Sequence, residues 1–296
     1  MAATTTLDRP AAPRSRILRR LGDRSSRLFA YAVVGGWSLF TVFFVVWIVL
    51  ASLKKNRDLF GKPWSLPLDP AVANYEKVWV AGRFGDYFLN SIYVVGLSVF
   101  FLLVVSVPAA YVLARARFRG REALTNFVVI GMGVPIPLLF VPLFVIMTWF
   151  RMADTLTGLS IVYIALSIPF TVYVLTGFFS SLPSELESAA IIDGCNDFRV
   201  FWHIMLPLGM PGIVTVAVMN FIGLWNEYQL SLVLLNSPDN RTLSLGIYAL
   251  INAMQYSGGD WAGLFAGVTI VMLPTIAIFL ILSEKMIGGL TMGSVK

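Results

Sequence analysis

Residues 28–53 read LFAYAVVGGWSLFTVFFVVWIVLASL, twenty-six residues without one charge. A helix that crosses the hydrocarbon core needs about 20 predominantly apolar residues, and an uncharged run of this length is read as a span. Five more runs of the same kind follow: Tyr87–Leu113, Ala123–Phe150, Leu156–Phe179, Gly212–Leu235 and Trp261–Leu282. The sequence therefore predicts an all-α membrane protein, a bundle of six transmembrane helices in one domain over residues 28–285. A basic tail, residues 1–27, precedes it, and a short tail, residues 286–296, follows. Six is even, so both termini lie on one side of the membrane.

Composition agrees with the spans. The chain is 57% hydrophobic and 13% charged, with a mean hydropathy of +0.79. A soluble domain carries about a quarter charged residues. The formal charge of +6 is concentrated. Arg9, Arg14, Arg16, Arg19, Arg20, Arg24 and Arg27 precede the first span, and Arg115, Arg117, Arg119 and Arg121 follow the second. Short loops rich in Lys and Arg stay in the cytoplasm. Grouped by parity, the side holding the termini has 14 Lys and Arg against eight on the other. Both termini, the Arg115–Arg121 loop and the loop at 181–211 are therefore expected in the cytoplasm, on a multi-pass inner-membrane protein. The arginine-rich start is not read as a signal peptide, because the apolar run is too long and no small-residue cleavage pattern follows. The basic residues flank spans without interleaved aromatics, which argues against nucleic acid. They serve topology and can touch anionic lipid head groups.

Cys195 is the only cysteine and His203 the only histidine. One of each builds neither a disulfide within the chain nor a Cys/His metal cluster, so no metal and no bound cofactor are expected. Cys195 reads as a small turn residue and His203 as loop packing. Pro108, Pro135, Pro137, Pro142, Pro169 and Pro274 fall within or near the middles of spans. Proline removes a backbone donor. In lipid the freed carbonyl must find a partner on a neighbouring helix or in cavity water. The group suggests a kinked, packed bundle around a pathway.

The loop at 180–212 reads SSLPSELESAAIIDGCNDFRVFWHIMLPLGMPG. Ser184 followed by Glu187 has the form of a capping box. Gly194 supplies a left-handed stop, and Asn196 or Asp197 can cap a second helix to about Met205. Pro207 and Pro211 are expected to break the chain again before the fifth span. The prediction is a helix–turn–helix, small on one face at Ala189 and Ala190, with Asp193 and Gly194 at the elbow. By these residues alone it is equally a docking knob or a solvated amphipathic loop.

The same stretch resembles the Glu-Ala-Ala loop of ATP-binding-cassette importer permeases. Ala189, Ala190, Asp193, Gly194, Ile204, Leu206 and Pro207 match its pattern, whereas Ser188 stands at the family's glutamate position and the acid is Glu187. Further segments are similar to the smaller permease subunit of maltose-type carbohydrate importers. They are ANYEKVW near Asn74, YFLNSIYV around Asn90, AAYVLARARFRGRE from Ala109, WNEYQLSLVLL from Trp225, RTLSLGIY from Arg241 and GGLTMGSVK from Gly288. The resemblance implies a sugar-import permease that forms half of the translocation pathway. It also implies a second related permease, an ATPase dimer that carries ATP and magnesium, and an extracytoplasmic solute-binding protein. Glu187, Ala189, Ala190, Asp193 and Gly194 would then couple the chain to the ATPase. The chain has no G-x-x-x-x-G-K-[ST] phosphate cradle of its own.

Candidate pathway residues lie in the fifth span. Asn220 stands about 12 Å along a helix that starts at Gly212, near mid-membrane, and Asn226 and Glu227 about 21–23 Å along. Charge at depth is costly, so Glu227 should face protein or water. Trp225 could stack on a sugar face. The alternatives are an interhelical hydrogen bond for Asn220, an interfacial position for Trp225 and a structural ion pair for Glu227. A self-contained secondary transporter or channel for a small polar solute is the competing function. The spans show no paired aspartates, H-E-x-x-H or Ser/His couple for an intramembrane enzyme.

Overall fold

The computed structural model describes residues 13–257 and 259–292, and all regular structure among them is helical. Helix α1 (Pro13–Ser52) opens with proline in its first turn, where the missing N–H has no partner to lose. It runs through the arginine segment read above as a tail, and its membrane-length portion is Arg27–Ser52. Most of that portion lies on the outside of the fold, from Leu28 through Phe43. Ala51 and Trp47 join it to α13 (Trp261–Met292), where Ala51 meets Ala262 and the Trp47 ring stands edge-on to Phe265. Residues 1–12 and 293–296, the ends of the two expected tails, lie outside the described residues.

The bundle is built on α4 (Phe84–Arg115) and α7 (Leu156–Ser181). Small hydroxyl residues let their backbones approach. Ser98 donates to the Ser160 carbonyl at 3.4 Å, and both side chains are fully buried. In lipid, close packing of small residues replaces the hydrophobic drive between helices. Leu102, Leu159, Val162 and Leu175 fill in around them. Pro108, Pro169 and Pro274 sit inside continuous helices.

The expected third span, 123–150, is broken. Helix α5 (Arg121–Met132) is followed by a 3₁₀ turn at Ile136–Leu139 and α6 (Phe140–Trp149), and the two halves bend by 94°. Pro135 is extended at φ −64°, ψ 118°. It cannot donate to a helix and disfavours helical geometry at the residue before it. Among the described residues five helices are therefore membrane-length, and six spans are reached only if the bent pair counts as one.

A second expectation fails in the opposite sense. Pro207 and Pro211 do not break the chain, because Asp197–Asn226 is one helix of 30 residues. It comprises α9 (Asp197–Val200), a π turn at Phe201–Met205 and α10 (Leu206–Asn226). The π turn lets the Leu206 N–H reach back to Phe201 O, placing Pro207 in the first turn of α10, where no donor is missed. The first turns of α10 press on α7. A Cβ on Gly209 would lie 2.7 Å from the Phe179 ring, and one on Gly212 2.5 Å from Phe178.

Candidate functional site

The elbow begins where α7 ends. Helix α8 (Glu185–Ile192) stops at Gly194, whose φ is +83°. The Cys195 N–H donates to Ala190 O at 2.9 Å, and the Gly194 N–H to Ile191 O at 3.0 Å. These bonds take up carbonyls that a helix end leaves free. Asn196 caps α9, its Oδ1 accepting from the Arg199 N–H at 2.9 Å. The capping box at Ser184 does not form. Ser184 is itself helical, at φ −73°, and makes no cap. Glu187 turns instead to Arg115 on the last turn of α4, with Oε1 3.6 Å from Nε. Arg115 Nη2 also donates to Leu182 O at 2.5 Å.

The elbow stands on a buried base of Ala190, Val200 and Met205, packed with Tyr111 and Leu182. Of the five expected coupling residues, Ala189, Asp193 and Gly194 are exposed. Ala190 is buried in the base, and Glu187 is mostly covered at the α4 contact. Sequence reasoning missed Ile191, Ile192 and Phe198, three large apolar side chains around the same elbow, with Ile192 84% exposed. Their signal was the Ile-Ile pair directly before Asp193–Gly194, which a purely solvated turn would not carry.

The pathway candidates separate. Asn220 is buried and donates to Thr171 Oγ1 on α7 at 3.0 Å and to Val216 O at 2.8 Å. It is an interhelical hydrogen bond. Trp225 is 2% exposed, donates to Val271 O at 2.9 Å and stacks on Phe221. Its ring is covered, neither interfacial nor open to a ligand. Glu227 ends α10 and accepts from the Leu230 N–H at 2.7 Å and the Tyr163 hydroxyl at 2.5 Å. It pins the break between α10 and α11 (Gln229–Leu234) to α7 through neutral donors, not through an ion pair. Tyr163 carried no polar motif in an apolar span and was not legible in the sequence. Asn226 is exposed and lines a cavity of about 410 Å³ with Tyr228, Ser244 on α12 (Leu243–Ser257), and Val268, Met272 and Thr275 on α13.

At the opposite end of α7 from the elbow, Asp154 ties two loops. Its N–H donates to Leu234 O, its Oδ1 accepts from the Asn236 and Ser237 N–H groups at 2.9 Å each, and its Oδ2 accepts from the Ser237 hydroxyl. Burial works against the charged form, but these hydrogen bonds outweigh it and hold the Asp154 carboxyl below its ordinary range. Asp260 is held low in the same way, burial being outweighed by the Lys77 ammonium at 2.5 Å and the Gly263 N–H.

The chain is thus a multi-pass helical bundle with a capped, exposed elbow seated on the ends of α4 and α7. Residues 106–286 match the family described as binding-protein-dependent transport system inner membrane component, and the chain belongs to that family. It is a permease subunit, and ATP hydrolysis lies on a separate subunit. The diacetylchitobiose uptake system permease protein NgcG of Streptomyces coelicolor is 33% identical over 94% of this chain and 93% of its own. The sulfoquinovosyl glycerol transport system permease protein SmoH of Agrobacterium fabrum is 32% identical over 86% of this chain and 89% of its own. In fold, the chain resembles a chain from the crystal structure of a bacterial transporter involved in alginate import. The TM-score is 0.74 at 23% identity, over 89% of this chain and 97% of that one.

Proposed function

We propose that this permease imports an oligosaccharide or small glycoside. On this reading the elbow at Asp193–Gly194 faces the cytoplasm and is received by an ATPase dimer holding ATP and magnesium. A second, related permease completes the pathway, and a solute-binding protein delivers the sugar from the other side. Both termini are cytoplasmic, in line with the bias of Lys and Arg. The observation that carries the reading is the elbow itself. Asp193 and Gly194 stand free between Ile192 and Phe198, while Ala190, Val200 and Met205 anchor the base. An exposed apolar rim on a rigid base is a surface that a partner covers. The carbohydrate class rests on the two relatives, which are named for diacetylchitobiose uptake and sulfoquinovosyl glycerol transport.

The test replaces Asp193 with Cys in a Cys195→Ser background, which leaves one thiol in the chain. The reading expects a membrane-impermeant maleimide to label this thiol in inverted vesicles only, and a short bifunctional cross-linker to join it to an ATPase subunit. Labelling from the outer face, or purified complexes with no ATPase joined, overturns it.

A further inference from the structure

We propose that the loop between α2 (Asn56–Gly61) and α3 (Ala73–Glu76) is a membrane-interface anchor that lays Trp64 and Leu66 into the phospholipid leaflet beside α1. The inference rests on neither the cargo nor the side taken by the elbow. Three large apolar side chains stand exposed within five residues of this loop, Trp64 at 70%, Leu66 at 67% and Leu68 at 97%. An exposed cluster of this kind marks a surface that a membrane or another protein covers.

Depth decides for the membrane. The loop turns back along α1, where the Trp64 ring stacks on Phe43 at 6.1 Å and lies 5.8 Å from Trp47. Helix rise puts Phe43 about 4 Å and Trp47 about 10 Å from the middle of the uncharged run 28–53. Both fall within half the thickness of the hydrocarbon core, about 15 Å. A soluble partner approaches from the aqueous side and does not reach a ring at that level. The outward face of α1, exposed from Leu28 through Phe43, continues into the same ring. The lipid around the helix therefore meets Trp64 as well, and tryptophan is enriched where chain passes from hydrocarbon to head groups.

The backbone of the loop suits that position. Irregular chain in lipid is costly where its peptide groups lack partners. Lys54, only 4% exposed, extends its ammonium to Lys62 O at 3.1 Å and to Pro63 O at 2.8 Å. The Trp47 indole N–H donates to Pro63 O at 3.2 Å, and the Ser65 N–H to Lys62 O at 3.2 Å. Pro63, Pro67 and Pro70 bring no N–H at all. The buried Lys54 cation thus fastens the turn from which Trp64 descends. The charges that flank the apolar stretch stay open to solvent, with Lys55 and Asp69 paired at 2.8 Å and their side chains 64% and 83% exposed. An apolar tip with a charged border is the pattern of a segment that lies at the interface.

The test uses the complete transporter in phospholipid vesicles, with Cys195→Ser in this chain and partner subunits free of cysteine. Trp64→Cys and Leu66→Cys each carry one nitroxide, with Asp239→Cys, whose native side chain is 76% exposed, as the aqueous reference. Collisions of each nitroxide with oxygen and with a water-soluble nickel chelate are measured on assembled complexes recovered by size exclusion. At positions 64 and 66 oxygen is expected to relax the nitroxide several-fold more than the chelate does, with the order reversed at 239. Free access of the chelate at 64 and 66 puts the loop in water and overturns the anchor. Shielding from both probes puts protein over the loop, the second permease or another chain, and overturns it equally. The unmodified complex supplies the check that needs no variant. Irradiated in vesicles with a phospholipid carrying a diazirine in its upper acyl chain, it is expected to yield lipid adducts on residues 62–70, and their absence overturns the anchor.

Discussion

Glu187 Oε1 and Arg115 Nε stand 3.6 Å apart, both buried and neither hydrogen-bonded, and the pair joins the elbow to the last turn of α4. The separation is too long for a direct hydrogen bond, so the contact is electrostatic. Arg115 also holds Leu182 O, the C-cap of α7. One guanidinium therefore gathers the ends of α4 and α7 and the start of α8. If a partner grips the elbow, as proposed above, a push on it reaches α4 and α7 through this guanidinium. Interfaces of this kind switch between discrete packings and do not deform continuously.

Glu187→Gln is expected to weaken coupling more than stability. It leaves Arg115 with its carbonyl partner and puts a neutral amide where the carboxylate stood, so the cost to folding is about 1 kcal/mol. Arg115→Leu strands the covered carboxylate and costs more, about 3 kcal/mol. Sugar uptake per ATP hydrolysed, measured in proteoliposomes beside thermal melts of the solubilised complex, checks both. An Arg115→Leu protein as stable as wild type would contradict the arrangement.

Gly212→Ala is expected to destabilise the start of α10. The added Cβ meets the Phe178 ring at 2.5 Å, and the ring sits in the packed core of α7. Overpacking of this kind costs about 1–3 kcal/mol. Gly194→Ala differs, because nothing lies within 4 Å of the added carbon. Its cost is the left-handed backbone alone, about 1–2 kcal/mol. Melting temperatures of the two variants should both fall, with only Gly212→Ala rescued by a smaller residue at Phe178.

Asn220→Leu is expected to cost about 0.6 kcal/mol, the usual worth of an interhelical hydrogen bond in a membrane. Its transport affinity should be unchanged, since the amide is spent on Thr171 and Val216. A changed half-saturating concentration would instead place Asn220 on the pathway.

The Asp154 clamp gives a pH signature. Its carboxyl titrates below the ordinary value in the folded chain. Its contribution is therefore complete above the unfolded value of about 3.9 and is lost as pH falls through the lower folded one. Thermal stability of the complex should be flat from pH 7 to pH 5 on this account and drop below about pH 4. Asp154→Asn should lower it at neutral pH by no more than about 1 kcal/mol, because solvent screens this largely exposed carboxyl, and should shrink the acid drop.

Local chemistry made much of the protein legible without coordinates. Uncharged runs of membrane length can only be satisfied as helices, because lipid offers backbone groups no other partner. Four of the six expected spans, the membrane portion of α1 among them, stand as single helices of membrane length; the expected fifth, 212–235, is interrupted after Asn226, and the membrane-length helix there is Asp197–Asn226. The elbow was equally local. Gly194 at positive φ and the Asn196 cap depend on residues within four positions of each other.

The remaining features depended on partners far along the chain. Proline marked where a backbone donor was missing but not what followed. Pro135 turned the third span through 94°, whereas Pro207 was absorbed by a π turn against α7. Glu187 chose Arg115, seventy-two residues away, over its own helix start. Trp225 faced Val271 and Phe221, which left Tyr228 at the cavity. Sequence alone determined that the chain crosses the membrane as helices and carries a capped elbow, because hydration and backbone geometry act over a few residues. Tertiary structure alone decided which side chains are consumed by packing and which remain free for a ligand, because that depends on close contact between segments that are distant in sequence.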